Sequence, residues 1–145
     1  TENELTTAPA LAAVTYMTLQ SLGLSRRKAE YIIDLARAEI DGTLDLAQLH
    51  TQPGPEVSRV LTSFRGIGGW TADNYRLFAL ADLDAWPGND LALMEAVKRL
   101  KNLDARPSHK EMDKFAAQWV PYRGAAALML WHLYARLIRE ARPTL

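Results

Sequence analysis

The stretch Leu61-Thr62-Ser63-Phe64-Arg65-Gly66-Ile67-Gly68-Gly69-Trp70-Thr71-Ala72 decides how this chain folds. The apolar helical face of Val57, Val60, Leu61 and Phe64 runs into a cluster of glycines. A second helical pattern begins near Trp70 and continues to about Ala81. Glycine permits positive φ and lets another backbone come close. Ile67, set between Gly66 and Gly68, suits a plug between two helices. The N–H groups of Gly68, Gly69 and Trp70 would then point outward from a helix N-terminus, an anion site suited to a phosphate. A plain turn between two helices fits the same residues, and physics alone leaves the two readings even. No Gly-Lys-Ser/Thr follows, so this is not a P-loop.

Working outward, the periodicity is helical almost everywhere and no stretch alternates as a strand. Thr7 and Pro9 open a helical segment carrying Leu11 and Val14, which Gly23 closes after Leu22. Ser25 caps a helix in which Ala29, Ile32, Ile33, Ala36 and Ile40 recur until Gly42. A short polar stretch follows with Leu44, Leu46 and Leu49, then the turn Gln52-Pro53-Gly54-Pro55. After the hairpin, residues 82–89 read as a loop containing Trp86-Pro87-Gly88. Helices then carry Leu93, Val97 and Leu100; Met112, Phe115, Ala116 and Trp119; and Leu128, Trp131, Ala135 and Ile138, with Pro107-Ser108 opening the second and Pro121 interrupting before the third. The fold class is therefore all-α, a compact array of short helices.

Composition narrows the function. The chain has 145 residues, 48% hydrophobic and 23% charged, which suits one globular domain and excludes a disordered or collagen-like chain. No apolar run approaches the roughly 18 residues of a membrane span. Cysteine is absent, which removes thiolate nucleophiles, disulfides and iron–sulfur clusters. His50, His109 and His132 lack metal-ligand spacing, so no metal cofactor is implied. The first residues, Thr1 to Thr7, are polar and acidic and do not resemble a signal peptide, so a cytoplasmic location is the default. Net charge is zero, with 4 basic against 8 acidic residues over 1–57 and 13 against 9 over 58–145. That mild asymmetry is no footprint of nucleic-acid binding by itself.

Three segments taken in order resemble one family. The hairpin is similar to the helix-hairpin-helix of base-excision DNA glycosylases, whose hairpin reads Leu-Pro-Gly-Ile-Gly before a Trp-Thr-Ala or Lys-Thr-Ala helix. Here Arg65 stands where that family usually has Pro. Trp86-Pro87-Gly88-Asn89-Asp90 resembles the loop that ends in the family's catalytic Asp, about twenty residues after the hairpin. Trp119-Val120-Pro121-Tyr122-Arg123-Gly124-Ala125-Ala126 resembles the start of the last helix in the AlkA-like branch, the 3-methyladenine DNA glycosylases. The resemblance covers roughly residues 8–134, with the hairpin motif at about 56–81, in a glycosylase domain spanning 1–145.

The resemblance implies a monofunctional glycosylase that flips a damaged nucleotide out of double-stranded DNA and hydrolyses its N-glycosidic bond in base excision repair. Asp90 would be the catalytic carboxylate, although position alone makes it a helix N-cap. A carboxylate there can stabilise positive charge on the deoxyribose and orient or deprotonate water. Trp70 replaces the Lys of bifunctional members, so no Schiff base can form. Trp70 and Trp131 would line an aromatic pocket for an electron-poor alkylated purine, where cation–π stacking contributes about 1–2 kcal/mol; core packing is the plainer role for either. The branch often has Tyr four residues after Trp70, where this chain has Asn74 with Tyr75 next to it, and Tyr75 is taken as the pocket residue. Gly66, Gly68, Gly69, Arg65 and Arg123 are candidates for DNA phosphates, with Arg76, Lys98, Arg99 and Lys101 as further basic residues. Asp84 reads as a solvated loop charge. A monovalent cation near the carbonyls of Phe64, Gly66 and Ile67 is a family feature.

Two other classes remain. A non-catalytic helix-hairpin-helix clamp would bind DNA without needing Asp90, Trp70 and Trp131, and an all-α interaction domain would not bind DNA. Family members place further apolar helices before the point matched by Ala8, forming the other wall of the lesion cleft. With no starting Met, the chain reads as the C-terminal portion of a glycosylase domain. Its expected partners are a duplex with a damaged base and a separate N-terminal segment of the same protein. An exposed apolar patch of about several hundred Å² is expected. The source is expected to be bacterial, with the protein at the nucleoid.

Overall fold

The computed structural model describes residues 7–141, and those residues form helices and turns with no strand. In order they are α1 (Ala8–Ala13), α2 (Tyr16–Ser21), α3 (Arg26–Ile40), α4 (Leu46–Leu49), α5 (Gly54–Thr62), α6 (Gly69–Ala79), α7 (Leu91–Leu100), α8 (His109–Ala116), a 3₁₀ turn (Ala117–Trp119) and α9 (Arg123–Ala141). The chain forms two compact units. Among the described residues, one contains those up to Pro53 with Thr62–Gly66, and the other contains Gly54–Leu61 with those from Ile67 onward.

In the first unit, α1 and α2 pack on α3. The single segment expected from Thr7 to Leu22 is in fact two helices. Val14 is extended (φ −81°, ψ 157°), and Thr15 accepts the Thr18 N–H to start α2. The β-branched Val14-Thr15 pair pays helix propensity twice, and Thr15 is worth more as a cap than inside a turn. Leu19, Ala29 and Ile33 are buried together, with Leu11, Val14, Tyr16, Leu24 and Ile32 against them. The polar stretch after Gly42 includes the short α4, which Asp45 caps through the Gln48 N–H.

In the second unit, Leu93, Ala96, Val97, Met112 and Ala127 are fully buried in a core with Leu77, Ala85, Trp86, Met94, Ala116 and Leu130. Helices α7 and α9 pack on one another. Ser108 and Glu111 form a reciprocal capping box at α8, as the Pro107-Ser108 start anticipates. α6 stops at Ala79 rather than Ala81, and Ala81 takes positive φ (53°) to turn the chain into the loop. That loop ends where Asp90 caps α7.

Candidate active site

Asp90 sits at the first step of α7 and accepts two backbone N–H groups on one oxygen: Ala92 N at 2.8 Å and Leu93 N at 3.0 Å from Oδ1. This is the ordinary geometry of an N-cap. The remaining contacts are not ordinary for a cap. The Trp131 indole N–H donates to Oδ1 at 3.1 Å from α9, and the Trp70 indole N–H donates to Oδ2 at 2.9 Å from the first turn of α6. Three of these four donors converge on Oδ1. A carboxylate offers about four lone-pair directions, two per oxygen, so Oδ2 keeps one direction not taken by these donors.

The two tryptophans do more than fill space. Trp70 is 47% exposed. Trp131 is half-buried and stacks on Phe78, with ring centroids 5.8 Å apart and planes 25° apart. Phe78 is itself 65% exposed. Trp70 and Phe78 are eight residues apart on α6, which sets them roughly 80° apart round its axis. Tyr75, half-buried, points roughly 140° round the α6 axis from Trp70, at about 100° per residue. Phe78, which the sequence reading did not name, is an aromatic that stacks on Trp131. Asn74 turns back on its own helix, its amide donating to the Trp70 carbonyl at 2.7 Å.

The glycines of the hairpin divide by role. Gly66 takes φ +94°, and a Cβ there would overlap the Tyr31 ring, so both backbone and space demand glycine. Gly68, the α6 N-cap, has φ −98° and ψ 175°, which any residue can adopt, and a Cβ on it would meet nothing within 4 Å. Gly69 also faces open space. No side chain caps this end of α6, which leaves its first N–H groups without a side-chain acceptor at the positive end of the helix.

Two arginines assigned to DNA are engaged within the fold. Arg65 lies over the Tyr31 ring, 5.1 Å from its centroid, with Asp34 at 3.5 Å and Glu30 at 3.8 Å, and remains largely exposed. Arg123 corrects the sequence reading of Asp84. Its Nε and Nη2 donate to Oδ1 and Oδ2 of Asp84 at 2.8 and 2.6 Å, and its backbone N–H reaches Oδ1 at 3.2 Å. Asp84 is therefore a paired charge and not a solvated one, and two of the three guanidinium nitrogens of Arg123 are committed to it. The Arg123 fork holds the Asp84 carboxyl below the usual carboxylate range, and Asp84 in turn raises Arg123. Arg76 is similarly used. It grips Asp82 Oδ2 at 3.0 and 2.7 Å and also reaches Ser58 and Asp73. Burial pushes the Asp73 carboxyl up, against the pull of Arg76. Among the described residues no cluster of three His, Asp or Glu could hold a metal ion, and no helix is long and apolar enough to cross a membrane.

Known proteins are similar to this chain in sequence and fold. The putative DNA-3-methyladenine glycosylase YfjP of Bacillus subtilis is 37% identical over 121 residues, covering 83% of this chain and 42% of that protein. The structure of a 3-methyladenine DNA glycosylase from Archaeoglobus fulgidus matches with a TM-score of 0.77 at 30% identity, covering 89% of this chain and 43% of the other. That of the Schizosaccharomyces pombe 3-methyladenine DNA glycosylase in complex with abasic DNA matches with a TM-score of 0.82 at 27% identity, over 86% and 61%. The chain spans about half the length or less of the curated relatives it matches. The family model of the HhH-GPD superfamily base excision DNA repair proteins matches residues 2–122, and the chain belongs to that superfamily.

Proposed function

We propose that this chain carries the catalytic part of a monofunctional DNA glycosylase that releases alkylated purine bases from duplex DNA by hydrolysis. The observation that carries this reading is the Asp90 carboxylate, oriented by the indole N–H groups of Trp70 and Trp131 while one Oδ2 lone-pair direction stays open. A helix cap alone needs neither indole. When the C1′–N bond breaks, its electron pair leaves with the base, and positive charge develops on the deoxyribose. A fixed carboxylate opposes that charge without having to reorganise. Water then adds at C1′ and loses a proton. The open Oδ2 direction can orient that water, but most of the carboxylate's acceptor capacity is already used, so its main contribution is electrostatic. An alkylated purine that is already cationic leaves as a neutral base, which lowers the demand for a general acid. It would stack on the exposed faces of Trp70 and Phe78. Trp70 supplies no amine, so the bond is broken by water and not through an imine.

The uncapped start of α6 at Gly68, Gly69 and Trp70, reached through the turn at Gly66, suits a DNA phosphate, with Arg65 an exposed cation close by in sequence. Leu91 is exposed beside Asp90, and Leu128 is exposed one turn before Trp131. These residues and the exposed Phe78 are the apolar side chains that a further segment of the same protein would cover in completing the lesion cleft.

The test is incubation of the protein with duplexes carrying 3-methyladenine, 7-methylguanine or undamaged purines, with and without the N-terminal portion found in its relatives. Release of free methylated base, with none from the undamaged duplex, is expected. Tight duplex binding without release in any combination would favour the non-catalytic clamp.

A further inference from the structure

Residues 82–84, at the start of the loop that leads to Asp90, are clasped from two sides. From α6, Arg76 grips the Asp82 carboxylate through two nitrogens, and Asp82 Oδ1 accepts the Asp84 N–H at 2.9 Å. From α9, the Arg123 fork and backbone N–H all reach Asp84. The next N–H of α9, on Gly124, donates to the Leu83 carbonyl at 2.7 Å. A Cβ at Gly124 would lie 2.8 Å from that carbonyl oxygen and 3.0 Å from that of Asp82, so glycine is what lets the loop lie against the helix. The first N–H groups of α9 therefore find their acceptors in a loop 39 residues earlier in the chain.

The elements that the clasp joins are the ones that meet again at Asp90. α6 carries Trp70, α9 carries Trp131, and the loop delivers Asp90 itself six residues beyond Asp84. From Arg123 to Trp131 is eight residues, about 12 Å along the helix at ~1.5 Å per residue. The bidentate fork fixes direction as well as distance, which a single contact cannot do. A shift of α9 against the loop would move the Trp131 indole away from Asp90 Oδ1.

We propose that Arg123 and Asp84 are a positioning pair that holds the Trp131 indole and the Asp90 carboxylate in register, rather than a DNA-phosphate contact with a loop counterion. Neither residue touches the reacting atoms. The proposal rests on Asp90 being the catalytic group, and the experiment separates the two ideas.

The variants are Arg123→Lys, Asp84→Asn, their combination, and Asp90→Asn as reference, all made in the full-length protein. Arg123→Lys keeps the charge and loses the fork, whereas Asp84→Asn keeps one acceptor. The readouts are the single-turnover excision rate at saturating enzyme, the Kd for an abasic duplex, and the indole N–H cross-peaks of the four tryptophans in ¹⁵N-labelled protein. Each single variant should lose about 10-fold or more in excision rate, since small misplacements are costly to chemistry. Kd should stay within about 2-fold, and the double variant should be no worse than the worse single. The Trp131 indole peak should move in both. Unchanged excision, with Asp90→Asn inactive, would overturn the proposal. So would a Kd that weakens for every duplex while the saturated rate holds, since Arg123 would then be a phosphate contact. If Asp90→Asn stays active, the catalytic reading falls, and the Trp131 peak then decides the clasp: no movement in Arg123→Lys refutes it. A double variant that loses as much as the two singles together would show that the residues do not act as a pair.

Discussion

Asp90→Asn removes one acceptor and one unit of charge while leaving the helix cap in place. The Asn Oδ1 can keep the bonds from Ala92 N, Leu93 N and Trp131, at 2.8, 3.0 and 3.1 Å in the parent. Asn ranks with Asp as an N-cap. The loss falls on Oδ2, where an NH₂ would face the Trp70 indole N–H across a former 2.9 Å hydrogen bond. A hydrogen bond to a charged group contributes roughly 1.5–3 kcal/mol. Trp70 is 47% exposed, so water can take over its N–H and much of that cost is recovered. Losing the charge at the positive end of α7 adds about 0.3–1 kcal/mol. The net cost is about 1–2 kcal/mol, or roughly 3–6 °C in thermal midpoint for a chain of this length. Excision should fall far more, by at least ~10²–10³-fold, the usual loss when one preorganised electrostatic contact is removed. Duplex binding should remain within a few-fold, since the phosphate contacts are untouched. Single-turnover base release, thermal unfolding and an equilibrium binding assay measure the three quantities separately. Near-normal excision from a folded variant whose parent is active would refute the catalytic assignment. Asp90→Ala, which also loses the cap, should cost about 1 kcal/mol more in stability than Asn.

The hairpin glycines should respond in opposite ways. Gly66→Ala should lower the thermal midpoint through its positive φ and the Tyr31 ring, by at least about 1–2 kcal/mol. Gly68→Leu meets no neighbour but is a poorer N-cap than glycine, so it should cost no more than about 1 kcal/mol and weaken binding to all duplexes alike; a loss that depends on base sequence would contradict a phosphate clamp. Borohydride added during turnover should trap no covalent protein–DNA adduct, and a band surviving denaturing electrophoresis would show that some lysine acts as a nucleophile. Asp84 has a depressed folded pKa because of Arg123, so its contribution to stability is present above the unfolded value near ~3.9 and is lost as pH falls through the folded value. Thermal midpoints measured from pH 6 downward should therefore show a shallower acid limb for Asp84→Asn than for the parent; identical limbs would show that the pair is not formed in solution.

What the sequence revealed, and what it concealed, follows from the range of each interaction. The break at Gly66, the cap at Asp90 and the helix start at Ser108 are local, set by a few neighbouring residues, and all were legible. The break between α1 and α2 was local too, but Val14 and Thr15 also suit a helical periodicity, and the cap outweighed that pattern. Phe78 was missed because the family resemblance drew attention to positions 74 and 75, and nothing local to Phe78 marks it as meeting a tryptophan 53 positions on. The Asp84–Arg123 pair was illegible for a stronger reason. Nothing within a few residues of Asp84 distinguishes a charge that meets an arginine 39 positions on from one that meets water.

The cap and the catalytic role proposed for Asp90 support one another. An N-cap fixes one carboxylate oxygen against two backbone N–H groups, and with it the direction of the other. The positive end of α7 favours a negative group at that place. The two indoles then complete the orientation without neutralising the charge, because an indole N–H donates a hydrogen bond but carries no net charge. An ammonium at position 70 would also reach Oδ2, but as an ion pair it would cancel part of the field that opposes positive charge on the sugar. A hydrolytic site that relies on a bare carboxylate is therefore better served by Trp70 than by a lysine. A lysine there becomes useful only when its nitrogen is itself the nucleophile. Trp70→Lys tests this directly: excision through water should fall although the residue can still donate to Asp90, and Trp70→Phe, which keeps the ring and loses the N–H, should fall less if charge and not the missing hydrogen bond is what matters.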